Sequence, residues 1–249
     1  MPELLQSCIA SWRKYCPEYT INRWDETNSP VEIPFVREAL KHRKYAFAAD
    51  YTRFYVLYHE GGIYLDTDML MVKSLDVLLL SPITRFLGRE DAWNVSMGII
   101  GAEAGDVFCK QCMDIYDDIK FDMVSPPIIT RLITPILIRR GLVQNDTNQL
   151  LSDGTQIFES KYFYPIHYSD NYDINKISSY ISPKTYCVHL WAGSWSDEMH
   201  LLSKGCYRQG FTQALQRIRR TPILPVRYYA KLSKYFYYYV LAKLKSVWS

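Results

Sequence analysis

The sequence predicts an α/β fold, a mixed sheet flanked by helices, on the strength of three observations. A stretch of apolar residues at helical spacing ends at Gly61 and Gly62, where glycine can adopt the positive φ that stops a helix. A short β-favouring run, residues 63–65, follows at once and leads into Asp66 and Asp68. Further on, strand-like and helical patterns alternate. Such alternation is typical of sheets that are covered by helices.

The other elements can be assigned in chain order. Residues 2–15 have the apolar spacing of an amphipathic helix, Pro17 begins a turn, and a short strand is expected to end near Trp24. A short helix is expected within residues 30–44. The later predictions are a short helix near Asp76, strands at 83–88 and 95–100, a helix to about 119, a helix with Pro127 in its first turn and Gly141 at its end, a strand ending at His189, and helices at 211–220 and 226–248.

The two aspartates after the predicted strand indicate a cation site. Asp66 and Asp68 can face one small volume if the backbone turns there, and paired carboxylates suit Mg²⁺ or Mn²⁺ with positions left open for phosphates. Asp50 and Arg53, one turn apart on the preceding helix, would bring another carboxylate and a fixed cation to the same place. A bare D-x-D is common in surface turns, but the four residues together favour a functional site.

The pattern A-x-x-x-D-x-x-R, then L-x-x-x-G-G-x-Y-x-D-x-D and a leucine, resembles the DXD sugar-binding region of glycosyltransferase family 32. That family includes capsular and lipopolysaccharide transferases and α-mannosyltransferases. The resemblance implies a GT-A-like (Rossmann-like) fold, a UDP- or GDP-sugar donor, a divalent metal and retention of anomeric configuration. The matching residues are Ala46, Asp50, Arg53, Leu57, Gly61, Gly62, Tyr64, Asp66, Asp68 and Leu75.

The resemblance also implies roles for these side chains. Asp68 would bind the metal, and Asp66 would contact the metal or the donor's ribose and sugar. Arg53 would orient phosphates or sugar, Asp50 would hold sugar hydroxyls, and Tyr64 would belong to the donor site. The expected catalytic set is therefore Asp50, Arg53, Asp66 and Asp68.

Two later segments extend the candidate site. His189, Ser194 and Trp195 form an H-x-x-x-x-S-W pattern that resembles the family's closing motif. An imidazole can complete a Mn²⁺ site, whereas a serine hydroxyl and an indole N–H can hold a leaving phosphate oxygen. Asn94 lies where the family carries an asparagine near sugar and acceptor, although an asparagine there can equally cap a turn. The metal ligands expected are Asp66, Asp68 and His189.

The two ends of the chain carry separate expectations. The family's first strand, of the form I-P-K-I-I-H-x-x-W, has no counterpart here, so either the chain is truncated, its start was placed too late, or its nucleotide pocket is built differently. Residues 1–203 are expected to form the GT-A-like catalytic domain, and residues 204–249 a basic helical extension. No acidic residue follows Glu198.

Within that extension, residues 226–248 combine a basic face with an aromatic and aliphatic one, a pattern typical of helices at membrane interfaces. A helix packed on the domain with solvated lysines, or a nucleic-acid patch, are the alternatives. We expect an anionic membrane surface and no nucleic acid. Six cysteines without a secretory signal predict a cytoplasmic protein. The interfacial pattern of residues 226–248 adds the expectation of a peripheral location on the inner face of the plasma membrane.

These observations predict a metal-dependent glycosyltransferase that moves a sugar from a nucleotide-sugar to a glycan or lipid-linked glycan, with retention, in bacterial capsule, lipopolysaccharide or exopolysaccharide synthesis. One alternative is a non-catalytic membrane-associated scaffold. Another is a haloacid-dehalogenase-type phosphatase, which also places D-x-D after a strand. That class needs threonine or valine two residues beyond the second aspartate, where this chain has Leu70.

Overall fold

The computed structural model describes residues 2–79, 83–170, 172–193, 197–221 and 223–245. The helices in these ranges are α1 Glu3–Tyr15, α2 Pro34–Lys41, α3 Tyr45–Glu60, α4 Asp76–Leu79, α5 Val107–Asp117, α6 Ile129–Arg139, α7 Glu198–Ser203, α8 Tyr207–Arg220 and α9 Val226–Lys245. The strands are β1 Gly62–Leu65, β2 Met69–Met71, β3 Arg85–Arg89, β4 Val95–Ala102, β5 Gln149–Leu150, β6 Thr155–Phe158 and β7 Cys187–His189. Two 3₁₀ helices, Ser160–Tyr162 and Ile174–Tyr180, precede β7.

The predicted fold class, a GT-A-like mixed sheet flanked by helices, is confirmed. Five strands form one sheet in the order β1-β4-β3-β6-β5, in which β3 and β6 run parallel and the other neighbours antiparallel. A second, two-stranded sheet pairs β2 with β7. The larger hydrophobic core joins α2, α3, α5 and α6 to one face of the main sheet.

The central segment folds as its sequence predicts. Helix α3 buries nine of its residues and ends at Gly61, which adopts φ +68°. A Cβ at Gly61 would lie 2.6 Å from the backbone nitrogen of Ala104, so only glycine fits this turn. The chain then enters β1 and pairs with β4, where Tyr64 lies opposite Ile100. Asp66 and Asp68 follow at the end of this strand.

Three expectations differ from the structure. Residues 20–25 do not form a strand, because no described strand lies beside them to complete a ladder. Pro127 precedes α6 instead of lying in its first turn, since the helix begins at Ile129 with Ile128 as its N-cap. Helix α8 starts at Tyr207, earlier than predicted, and its extra turn adds Tyr207, which packs beside Phe211 against α9.

The C-terminal helices pack on one another and on the body of the protein. The hydroxyl of Tyr228 in α9 donates to Glu198 of α7 at 3.0 Å, and Lys231 donates to the carbonyl of Val124 at 2.7 Å. Arg227 pairs with Asp122 at 2.9 Å. Among the helices that the structure describes, none combines the length and the apolar character that crossing a bilayer requires.

Candidate active site

The two-stranded sheet brings Asp68 and His189 together although 121 residues separate them in sequence. The β2–β7 ladder places Met69 opposite His189, and the Leu190 amide donates to the carbonyl of Asp68 at 3.0 Å. As a result Nε2 of His189 lies 3.0 Å from Oδ1 of Asp68. Both side chains are nearly buried, with 8% of Asp68 and 7% of His189 exposed.

The second carboxylate oxygen of Asp68 is held by the loop after β7. The Ala192 amide donates to Oδ2 at 2.9 Å, and Trp191, which precedes it, adopts φ +46°. A positive φ is uncommon outside glycine, and this one turns the chain so that the amide faces the aspartate. Burial opposes the charge of Asp68, but His189 and the Ala192 amide outweigh burial and hold the pKa of Asp68 below its usual value.

Asp66 is oriented by donors from α3 and β1. Its amide donates to the carbonyl of Gly98 in β4 at 2.7 Å, which fixes its backbone against the sheet. The Tyr64 hydroxyl donates to Oδ1 at 2.8 Å, and the guanidinium of Arg53 lies 3.5 Å from the same oxygen. Because both contacts use Oδ1, Oδ2 of Asp66 is left toward Gly98 and the cavity. Burial raises the pKa of Tyr64 well above its usual value, so the phenol stays a donor.

Arg53 is bound by the protein on several sides. It donates to the carbonyls of Met97 at 2.6 Å and Ala49 at 3.2 Å, and to Oδ1 of Asp50 at 2.8 Å. The Tyr64 ring also lies against the guanidinium. This geometry favours a positioning role for Arg53, since it holds Asp50 and Asp66 in place. Burial raises the pKa of Asp50 to about 7 against the lowering effect of Arg53, and the charge of Asp66 raises it further.

Asp66, Asp68 and His189 fit a divalent cation. Each residue offers one ligand atom, and these atoms lie within 4.8 Å of one another. Two carboxylates and one imidazole are ligands that Mn²⁺ accepts, and three protein ligands leave coordination positions for a diphosphate. Both aspartates are also fixed by hydrogen bonds from outside the set, as outer partners of metal ligands usually are.

Of the remaining candidate residues, the structure describes Asn94 but not Ser194 or Trp195. Asn94 closes the turn after β3, where its amide and side chain donate to the carboxylate of Asp91, and it also lines the cavity. Its turn-capping role is therefore visible, and its contact with sugar stays a prediction. Ser194 and Trp195 lie outside the described residues, and their contacts with phosphate stay a prediction.

A second carboxylate and histidine cluster lies in the same region. Glu90, Asp91 and His167 bring ligand atoms within 4.8 Å of one another. Oδ1 of Asp91 accepts from the amides of Trp93 and Asn94, each at 2.7 Å, and Nε2 of His167 lies 3.4 Å from Oδ2. The oxygens of Asp91 are thus already occupied by its own turn. Burial opposes the charge of Asp91, but these turn donors and His167 hold the pKa of Asp91 below its usual value.

A cavity of about 1370 Å³ is lined by residues of the candidate site and by Glu90. It is wide enough for a nucleotide-sugar, since ligand pockets commonly measure ~300–1,000 Å³. His200 and Ser203 of α7, and Lys204 at its C-cap, also line the cavity. The residues of the candidate site that line it are Asp50, Arg53, Tyr64, Asp66, Asp68, Asn94 and His189.

The sequence analysis missed two residues of the site, Gly98 and Tyr164. A Cβ at Gly98 would lie 3.1 Å from Oδ2 of Asp66 and 3.1 Å from the Tyr164 hydroxyl. That hydroxyl accepts from the amide of Ile99 at 3.0 Å. A glycine inside a predicted strand signals a close approach, and this is the signal by which Gly98 could be found. Tyr164 carries no such signal, because the chain has 21 tyrosines.

Comparisons with known proteins agree with this geometry. Residues 2–84 match the model of a family described as "Glycosyltransferase sugar-binding region containing DXD motif". The chain is 26% identical over 155 residues to lactosylceramide 4-alpha-galactosyltransferase of Gorilla gorilla gorilla. The aligned region covers 57% of this chain and 44% of that protein. The protein of the same name from Homo sapiens is 28% identical over 153 residues, covering 57% and 40%. The chain thus spans less than half the length of these relatives.

Proposed function

We propose that this protein is a glycosyltransferase that uses a divalent cation to move a sugar from a nucleotide-sugar donor to a hydroxyl of a glycan. The observation that carries the proposal is the convergence of Asp66, Asp68 and His189 in the cavity that also holds Asp50 and Arg53. The matched sugar-binding region and the galactosyltransferase relatives support it.

The residues have distinct tasks in this proposal. Asp66, Asp68 and His189 would hold Mn²⁺ or Mg²⁺, which supplies positive charge for the departing nucleoside diphosphate. Asp50 would accept hydrogen bonds from hydroxyls of the donor sugar, and Arg53 would keep Asp50 and Asp66 in place. Such contacts act mainly by positioning the reactants. Transfer with retention, from the face on which the diphosphate leaves, follows from the family resemblance.

The relatives narrow the choice of substrates. Their name describes transfer of galactose to lactosylceramide, so we propose galactose as the sugar, UDP as the first nucleotide to test, and a lipid-linked glycan as acceptor. Assembly of bacterial capsule, lipopolysaccharide or exopolysaccharide stays a prediction, and no comparison favours it over a glycolipid acceptor.

The test is a calorimetric screen of UDP- and GDP-sugars with and without Mn²⁺, followed by measurement of donor hydrolysis. Tight binding of one donor that requires Mn²⁺ is the expected result. If the folded protein binds no nucleotide-sugar under either condition, the transferase proposal is wrong. The hypothesis of a non-catalytic scaffold is then favoured. Release of phosphate from simple phosphate esters without donor binding would instead favour the phosphatase.

We also propose that helix α9 contacts an anionic membrane surface, as the peripheral location requires. Part of the helix packs inward through Tyr228, whereas Phe236 and Tyr237 are more than half exposed. Lys234 and Lys243 lie on the same helix, and α7, on which it packs, lines the cavity. Exposed aromatic and basic residues together favour binding to a charged interface.

Vesicle sedimentation tests this contact in the full chain. With vesicles containing phosphatidylserine, the double change Phe236→Ser and Tyr237→Ser is expected to reduce the bound fraction several-fold. Val107→Ser, which alters an exposed apolar residue on α5, is the control. Equal sedimentation of the wild type and the double variant would reject the membrane contact and leave the transferase proposal standing.

A further inference from the structure

Glu90 is a carboxylate of the cavity that the proposed transfer has not used. It follows β3 directly, and its amide donates to the carbonyl of Asn94 at 2.9 Å, so its backbone is fixed by the turn. The side chain is half-buried and lines the cavity together with His189 and Asn94.

Among the described residues, the side chains beside Glu90 have hydrogen-bond partners, whereas the Glu90 carboxylate has none. Asp91 accepts two amides of the turn, and Nδ1 of His167 lies 2.7 Å from the hydroxyl of Ser169. Within the described part of the chain, no amide or side chain donates a hydrogen bond to the Glu90 carboxylate. A half-buried carboxylate without a donor is costly, and it is available to a hydroxyl that enters the cavity.

The position of Glu90 relates it to the cation cluster. Its charge acts on His189, one of the three proposed ligands. The phenol of Tyr164 approaches Gly98 beside Asp66, and burial, together with the charges of both Asp66 and Glu90, raises its pKa. Glu90 and the three proposed cation ligands therefore line one cavity.

The other buried or half-buried acids of the cavity are occupied. Asp66 and Asp68 are assigned to the cation, and Asp50 is bound to Arg53. Burial, with the charge of Asp91, raises the pKa of Glu90, although His167 and His189 act in the opposite direction. A carboxylate whose pKa lies closer to neutral pH is a better proton acceptor than an exposed one.

On the basis of the proposed transfer, we propose that Glu90 is the proton acceptor for the attacking hydroxyl. The hydroxyl oxygen forms a bond to the anomeric carbon, and the bond from that carbon to the diphosphate oxygen breaks with its electron pair going to the diphosphate. The hydroxyl proton goes to the Glu90 carboxylate.

Donor hydrolysis tests this role without an identified acceptor, because water then supplies the attacking hydroxyl. With UDP-galactose and Mn²⁺, Glu90→Gln is expected to lower kcat about 100-fold, a typical loss for a general base. The donor Kd, measured by calorimetry, should change less than twofold. Glu103→Gln, which neutralises an exposed acid outside the cavity, is the matched control and should leave both values unchanged.

Chemical rescue separates a base from a merely structural carboxylate. Formate added to Glu90→Ala is expected to restore part of the lost hydrolysis, and a structural role would not respond to it. A kcat within twofold of the wild type, or a donor Kd that weakens as much as kcat falls, would overturn the assignment of Glu90. If the wild type neither binds nor hydrolyses any nucleotide-sugar of the screen, the proposed function itself fails first.

Discussion

The two carboxylate and histidine clusters, one lining the cavity and the other reaching it only through Glu90, have similar compositions but different hydrogen bonds. In the first, Asp66, Asp68 and His189 come from separate segments that the β2–β7 ladder brings together. In the second, Glu90 and Asp91 are consecutive residues of one turn. The clusters differ in the hydrogen bonds that their carboxylates already accept, since Asp91 accepts from the backbone amides of its own turn.

This comparison teaches that proximity of ligand atoms does not by itself define a cation site. Asp66 keeps Oδ2 toward the cavity, while its other oxygen is fixed by Tyr64 and Arg53. Such a carboxylate can bind a cation without breaking the surrounding structure. Both oxygens of Asp91, by contrast, already accept hydrogen bonds within its own turn, Oδ1 from two backbone amides and Oδ2 from the side chain of Asn94. The cation is therefore expected in the first cluster.

The largest expected effect comes from Asp68→Asn. The amide oxygen can still accept from Ala192, but the charge that would bind the cation is lost. Mn²⁺-dependent donor hydrolysis should fall at least ~1,000-fold, while the thermal transition should move by only a few degrees. Calorimetric titration of Mn²⁺ and a thermal melt measure the two quantities. Loss of folding without a specific loss of Mn²⁺ binding would make Asp68 a structural residue.

A smaller loss of activity is expected from Gly98→Ala. The new methyl group would lie 3.1 Å from Oδ2 of Asp66 and displace it by a few tenths of an ångström. Because a small misplacement of a catalytic group is costly, we expect donor hydrolysis to fall ~10- to 100-fold.

Gly101→Ala is the matched control for that change. Its methyl group would lie 2.1 Å from the ring of Phe86, in the core and away from the site. Gly98→Ala should therefore reduce activity more than stability, and Gly101→Ala should do the reverse. If both variants lose activity only in proportion to the fraction unfolded, the close approach at Gly98 does not serve the site.

The sequence predicted the three residues of the first cluster but none of the second, and the reason is physical. The helix, the glycine turn, the strand and the two aspartates are local, so spacing in sequence specifies them. The contact of Asp68 with His189 depends on β2, a strand of three residues that the sequence analysis did not identify. Residues 20–25 include strand-forming residues, but no strand of the described ranges lies beside them. The role of Tyr164 depends on packing between elements, which no local pattern encodes.

The smallest effect is expected in the second cluster, where Asp91→Ala should weaken the fold more than the cation site. Removing the acceptor of the Trp93 and Asn94 amides should lower the free energy of unfolding by ~1–2 kcal/mol at neutral pH. Mn²⁺ affinity should change less than twofold, whereas a loss comparable to that of Asp68→Asn would mean that both clusters share one cation.

The difference in stability between the wild type and Asp91→Ala also has a defined pH dependence. Because the folded pKa of Asp91 lies below its usual value of 3.8, the unfolded chain takes up the proton first as pH falls. The contribution of Asp91 is thus complete above that value and lost as pH falls through the folded pKa, so denaturation curves of wild type and Asp91→Ala should converge in acid.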